Sequence, residues 1–315
     1  MSRSYRLLPL IAIVAALAAC SKKAEAPPPA AAPPPAPAVE APPAPKLATF
    51  KNFMIGELSA VALRDGGLEV PNDNKALAVG RTPEEVAAVL SAAGQPTDKL
   101  ALSIQPLLVK TVDRVLLFDT GAGGVMGPGA GQLPHALADA GVDPNSVTDI
   151  FISHSHGDHV GGLVNAEGKL AFPNATIHMS KAEWKFMSGQ DQYKTVNPVI
   201  KPKIDEFTPG AQLVQGTVKA VEIKGHTPGH SGYLITSGPD SLLYIGDSMH
   251  HFVISVQRPN WTIAFDADHV TAEASRAALI AQSAASGQRI YAVHFPFPGI
   301  GKFEKQGDGY VWVAE

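Results

Sequence analysis

Short apolar runs recur along the chain, each cut off by glycine, proline, aspartate or histidine: "LSIQPLLVKT", "RVLLFDTGAG", "TDIFISHSH", "ATIHMS", "VKAVEIKGH", "SLLYIGDS" and "RIYAVHFPFPG". Their Val, Ile, Leu and Tyr content is that of half-buried or fully buried strands. Helical patterns lie between them. "TPEEVAAVLSAAG" places Thr82 as N-cap, Pro83 at the first helical position and Glu85 to complete a capping box, with a stop at Gly94. "SKAEWKFMSG" repeats the Ser-x-x-Glu signal at Ser180 and Glu183, and a third helix is expected from about Thr271 to Ser286, before Gly287. Strands interspersed with helices imply an α/β core in which helices cover sheets.

The first 45 residues follow another pattern. Arg3 and Arg6 precede an apolar run from Leu7 to Ala19 that suits a signal peptide and is short for a membrane span of about 20 residues. The run closes on "LAAC", which resembles the lipobox of bacterial lipoproteins, with Cys20 as the residue to be lipidated. Residues 21–45 are mostly Pro and Ala, a composition that favours extended polyproline conformation and reads as a tether. The expected organisation is therefore a signal segment over 1–20, a linker over 21–45 and a catalytic domain over 46–315. The expected location is the bacterial cell envelope, held to the lipid bilayer through Cys20. Ser21, in place of an aspartate, points to the outer membrane.

Composition narrows the chemistry. Cys20 is the only cysteine, so no disulfide can form within one chain. A net charge of −4 and the absence of a dense Lys/Arg block give no electrostatic footprint for nucleic acid. A small-molecule substrate is the expected partner.

The histidines are not scattered. His154, His156 and His159 follow "DIFIS", His226 follows "VEIKG", His294 follows "IYAV", and Asp247 ends "LLYIG". Strand ends converge on one edge of a sheet, so these residues can meet. In a turn after a strand, His154 and His156 can face one cation while Asp158 and His159 reach a second. Imidazole and carboxylate suit zinc and similar first-row metals.

"HSHGDH" matches the His-x-His-x-Asp-His hallmark of the metallo-β-lactamase superfamily, and "DTGAG" before it and "GHTPGH", "IGDS" and "VHFPFPG" after it fall in that family's order. The resemblance implies an αββα four-layer sandwich with two divalent metal ions, zinc foremost. It implies His154, His156 and His226 at one ion, Asp158, His159 and His294 at the other, and Asp247 between them. It gives Asp119 and His230 supporting roles, although Asp119 alone also reads as a satisfied turn residue. "LRDGGLEVPND", "GDSMHH" and "PNWTIAFDAD" resemble the group that includes methyl parathion hydrolase and lactonase-like enzymes.

The function expected from this set is hydrolysis of a neutral ester, lactone or phosphotriester by metal-held hydroxide, with Asp158 or Asp247 accepting or relaying the proton. A β-lactamase is disfavoured because that branch typically has cysteine where this chain has Asp247. His250 and His251 fit equally as substrate-facing or solvated loop residues. Phe252, Trp261, Phe265, Phe295 and Phe297 are candidates for a hydrophobic substrate slot, and each alone fits a core contact as well. The alternative is a metal-binding lipoprotein that senses or stores metal without turnover.

Overall fold

The computed structural model describes residues 47–315. The expected signal segment, Cys20 and the whole Pro/Ala tether lie outside the described residues.

Two seven-stranded sheets form the body, and in each the strands lie side by side in chain order. The first runs through Phe50–Ile55, Leu58–Leu63, Leu107–Lys110, Val115–Phe118, Asp149–Phe151, Thr176–Ser180 and Ile204–Phe207. The second runs through Gln212–Val214, Val218–Glu222, Ser231–Ser237, Asp240–Tyr244, Arg289–Tyr291, Ile300–Gln306 and Gly309–Ala314. Chain neighbours therefore become sheet neighbours, the commonest way to keep connections short.

Period-two alternation explains the layering. In Val115–Phe118, Leu117 faces an outer core with helices Leu133–Asp139 and Lys181–Ser188, while Leu116 and Phe118 face the space between the sheets. That inner space is aromatic, with Phe118, Phe151, Tyr233, Tyr244 and Tyr291 fully buried. Each such side chain contributes roughly 1.5–3 kcal/mol of burial. The tyrosine hydroxyls do not go unmet: Tyr233 donates to the Ile152 carbonyl at 2.5 Å and Tyr244 to Asp119 at 2.7 Å. Helix His269–Ser286 covers the far face of the second sheet through Ile280. Helix, sheet, sheet and helix make four layers, the expected αββα sandwich.

The expected helix punctuation forms with two changes. Thr82 caps Pro83–Ala92 with both halves of the capping box. The last helix begins two residues earlier than the pattern suggested, at His269, because Asp268 accepts from Thr271 N and Thr271 Oγ1. Ser180 caps Lys181–Ser188, but the Glu183 side chain does not return to the cap and goes elsewhere. The run "LSIQPLLVKT" also divides. Lys99–Ile104 pairs with Gly66–Pro71 in a separate ribbon, and only Leu107–Lys110 joins the first sheet. The break falls at Pro106, which cannot donate to a ladder, and at Gln105, whose buried amide donates to the Ala292 and Phe295 carbonyls.

Candidate metal centre

Five strands deliver the candidate residues. Asp119 follows Val115–Phe118, the "HSHGDH" loop follows Asp149–Phe151, His226 follows Val218–Glu222, Asp247 follows Asp240–Tyr244, and His294 follows Arg289–Tyr291. The motif is not a plain turn. His156 opens a single helical turn, Gly157–Val160, which carries Asp158 and His159. The turn that follows it, Gly161–Leu163, lies against the "DTGAG" loop so closely that a Cβ on Gly162 would sit 2.0 Å from the Thr120 carbonyl oxygen. Glycine is required there for packing.

The structure brings together two ligand clusters that meet at Asp247. His226 Nε2 lies 3.1 Å from His154 Nε2 and 3.0 Å from His156 Nδ1, with Asp247 Oδ2 3.5 Å away. His159 Nε2 and His294 Nε2 both lie 3.1 Å from Asp247 Oδ1, and Asp158 Oδ2 is 3.5 Å from His159. His154, His156, His226 and Asp247 form one possible ion-binding group, and Asp158, His159 and His294 another.

Fixed tautomers show that these nitrogens are aimed as lone pairs. His294 Nδ1 is 2.7 Å from the Ser103 carbonyl, which only accepts, so a proton sits on Nδ1 and Nε2 is turned toward Asp247 and the centre. His226 Nδ1 donates to Asp266 at 2.9 Å and His159 Nδ1 to Asp119 at 2.7 Å, with the same result. His159 Nε2 and Asp247 Oδ1 are buried without a hydrogen-bond partner. Converging lone pairs and orphaned acceptors in a buried space are what a cation satisfies, so the residues fit divalent metal ions.

Charge separates the two clusters. Burial pushes His154, His156 and His226 down, the last to about 3, so these rings stay neutral. Burial opposes ionisation of Asp158 and Asp247 too, yet the adjacent histidines, His159 foremost, outweigh it and hold both carboxyls well below their usual range. His159 and His294 shift the other way, upward despite burial, because Asp247 and Asp158 lie beside both, so a cation bound at this cluster would displace the proton at their Nε2 atoms.

The supporting residues have defined contacts. Asp119, buried and at φ 57°, accepts from Ser153 N, Ser153 Oγ, His159 Nδ1 and Tyr244 Oη. His230 donates from Nδ1 to the Ile223 carbonyl and accepts the Asp247 N–H at Nε2 over 3.0 Å, so both nitrogens are used and neither ligates.

Three supports escaped the sequence reading. Asp266 bridges His226 to Arg276, whose guanidinium is 2.6 Å away and buried. Asp65 gathers the N–H groups of Ala122, Gly131 and Leu133 beneath the "DTGAG" loop. Glu183 carries four hydrogen bonds to the ligand loops. Arg276 had a signal: Ala272, Arg276, Ile280 and Ser283 share the buried stripe of their helix.

A cavity of about 910 Å³ opens onto the centre, with His156, Asp158, Asp247, His250 and His294 in its lining and Leu68, Leu102, Met126 and Phe265 among its apolar residues. Of the expected slot, only His250 and Phe265 line it. His250 Nε2 is 3.3 Å from Asp247 Oδ2. His251 turns away, accepting the Val253 and Ile254 N–H groups.

The other four aromatics are core residues, a correction to the expectation. Phe252 packs between two apolar clusters, and Trp261 joins the cluster under helix Pro83–Ala92. Phe295 is fully buried edge-on against Trp312, and Phe297 packs on the intersheet core. Nearness in sequence to the ligands does not aim these side chains, and their large apolar area is better buried in layers.

The chain belongs to the metallo-beta-lactamase superfamily, whose family model matches residues 102–294. AidC, a dizinc quorum-quenching lactonase solved with a product, is similar in structure at a TM-score of 0.79 and 30% identity, over 84% of this chain and 97% of that one. AbOPH, a hydrolase in the beta lactamase superfamily, is similar at a TM-score of 0.77 and 27% identity, over 86% and 98%. A probable metallo-hydrolase of Mycobacterium tuberculosis is 27% identical over 187 residues, which are 48% of this chain and 58% of that protein. The chain thus spans little more than half the length of that curated relative. Family and neighbours support a metal-dependent hydrolase.

Proposed function

We propose that the protein is a binuclear metal-dependent hydrolase acting on a neutral ester, lactone or phosphotriester, in the manner of the lactonase-like and methyl parathion hydrolase-like group. One observation carries this reading. The cavity lining contains Asp158, Asp247 and three histidines, but no serine, threonine, cysteine, lysine or arginine. Tyr193 brings the one hydroxyl of this lining, and its Oη is committed to the Ser155 carbonyl, so with no thiol, amine or free hydroxyl poised for attack among the described residues, the nucleophile is solvent water. The lining adds no cationic side chain to the ions' own charge, and its apolar wall of Leu68, Leu102, Met126 and Phe265 favours an uncharged apolar substrate.

Divalent ions held by His154, His156 and His226 and by Asp158, His159 and His294, with Asp247 shared, would supply Lewis acidity and activate that water. The protein's own part is orientation and proton transfer. Asp119, Asp266 and the Ser103 carbonyl hold the ligand rings in one tautomer. The Asp158 carboxylate lines the cavity and stays ionised, so it accepts the proton of the attacking water at an oxygen and returns it to the leaving group. The apolar wall keeps bulk water from the reacting carbonyl or phosphoryl group.

A single-turnover reaction on an uncharged aryl ester in ¹⁸O-labelled water tests this route. Label is expected in the acid product of the first turnover. An unlabelled first product, or ester carried on a side chain such as Ser248, overturns it. We also propose that Cys20 is lipidated and holds the enzyme at the outer membrane. Cys20→Ser should release the protein from the membrane fraction, and unchanged partitioning would refute the anchor.

A further inference from the structure

Glu183 is a fully buried carboxylate that the mechanism above does not use. Its Oε1 accepts from Ser155 N at 2.8 Å and Ser155 Oγ at 2.6 Å. Its Oε2 accepts from Thr227 Oγ1 at 2.7 Å and Gly229 N at 2.9 Å. Ser155 stands between His154 and His156, on a loop from the first sheet. Thr227 follows His226, on a loop from the second sheet. One carboxylate therefore joins the two loops whose three histidines face one another, from a helix that carries none of them.

The joint is tight on every side. Ser180 Oγ, which caps the Glu183 helix, also donates to the Gly229 carbonyl at 2.7 Å. A Cβ on Gly229 would lie 2.1 Å from Glu183 N, so the His226 loop rests directly on the start of the helix. Tyr193 Oη donates to the Ser155 carbonyl from the same side. A small metal ion tolerates errors of only about 0.2 Å in ligand distance, so the separation of these loops governs how well three histidines bind it.

We propose that Glu183 is a positioning residue that sets the ion affinity of the His154–His156–His226 cluster without touching the ion. It is the counterpart of Asp119, which gathers donors around His159 in the other cluster. The inference rests on reading those three histidines as an ion site, and the experiment separates the two claims.

The full chain carrying Asp158→Ala and His294→Ala keeps one complete cluster and is titrated with zinc against a competing chelator. Adding Glu183→Gln, which swaps two acceptor positions for an amide donor, is expected to weaken zinc binding about 10–100-fold. Ser180→Ala removes the helix cap and one bond to the Gly229 carbonyl but leaves all four carboxylate contacts, and should lower thermal stability while changing affinity less than about threefold, well below that outer-contact effect. Thr227→Ala removes one donor and should weaken binding several-fold, which keeps the test open if Glu183→Gln fails to fold. Unchanged affinity in both Glu183→Gln and Thr227→Ala overturns the role of Glu183. Equal weakening by Ser180→Ala also overturns it, since helix packing alone would then account for the effect. A parent chain that binds no zinc removes the ion site and this inference together.

Discussion

The floor and the walls of the cavity are built differently. On the floor, each of His159, His226 and His294 has its second nitrogen held by a buried oxygen, from Asp119, Asp266 or Ser103. The walls come from separate segments: Leu68 and Leu102 from a two-stranded ribbon, Met126 from a glycine-rich loop, Phe265 from the segment before the last helix. Val125, beside Met126, is 67% exposed. Hydrogen-bonded side chains form the floor, and apolar side chains from separate segments form the walls. Substitutions on the floor should therefore abolish reaction, and substitutions on the walls should redirect it.

The largest effect is expected at Asp247. Asp247→Asn removes the charge shared by both clusters, a loss of about 3–5 kcal/mol for a broken buried pair, or on the order of 10³-fold in activity. Elemental analysis should show both ions diminished, and retention of two ions would break the view of Asp247 as the shared ligand.

His251 lies behind the wall, and burial alone holds its pKa at about 4. The unfolded chain takes up this proton near pH 6.5 and the folded chain does not, so stability is lost as pH falls from about 6.5 to about 4. The loss reaches about 3 kcal/mol over that window. His251→Asn keeps an acceptor for the Val253 and Ile254 N–H groups and should flatten the pH dependence of chemical denaturation. An unchanged slope would place the acid sensitivity elsewhere.

Next comes Asp119→Asn. Asparagine tolerates the positive φ at this position, so the backbone should hold while one amide oxygen replaces a carboxylate that meets four donors. A roughly 10–100-fold fall in metal affinity or kcat is expected, without a change in substrate ranking. Smallest is Phe265→Ala, which removes an apolar wall residue. It should raise KM for bulky aryl or long acyl esters by about tenfold or less, the scale of one apolar contact, and leave ion content unchanged. A fall in kcat equal across all substrates would move Phe265 from wall to floor.

The sequence was legible where spacing is covalently short or capping chemistry is local. Four floor residues lie within "HSHGDH", and Thr82 with Glu85 announced a helix that forms as written. His226, Asp247 and His294 stand at the ends of apolar runs, which brings them to one sheet edge, and their ligand roles came from the family resemblance. Glu183 was visible only as a cap signal, because a carboxylate three residues after a serine has the same spacing whether it returns to its own helix or reaches Ser155 and Thr227. Asp266 lies within "PNWTIAFDAD", but nothing local in that stretch marks it as a support, and its contact to His226 spans 40 residues. The walls were least legible. Phe295 and Trp261 have the composition of a substrate slot, but only packing decides which face of a loop an aromatic ring takes, and both rings turn into the core.

Zinc titration of the metal-stripped chain, with ions per chain and turnover of an uncharged ester or lactone recorded together, tests the binuclear centre most directly. Activity should be absent without metal and should reach its full value only as the second ion binds. Full activity at one ion per chain, or any turnover that survives complete removal of metal, would contradict it.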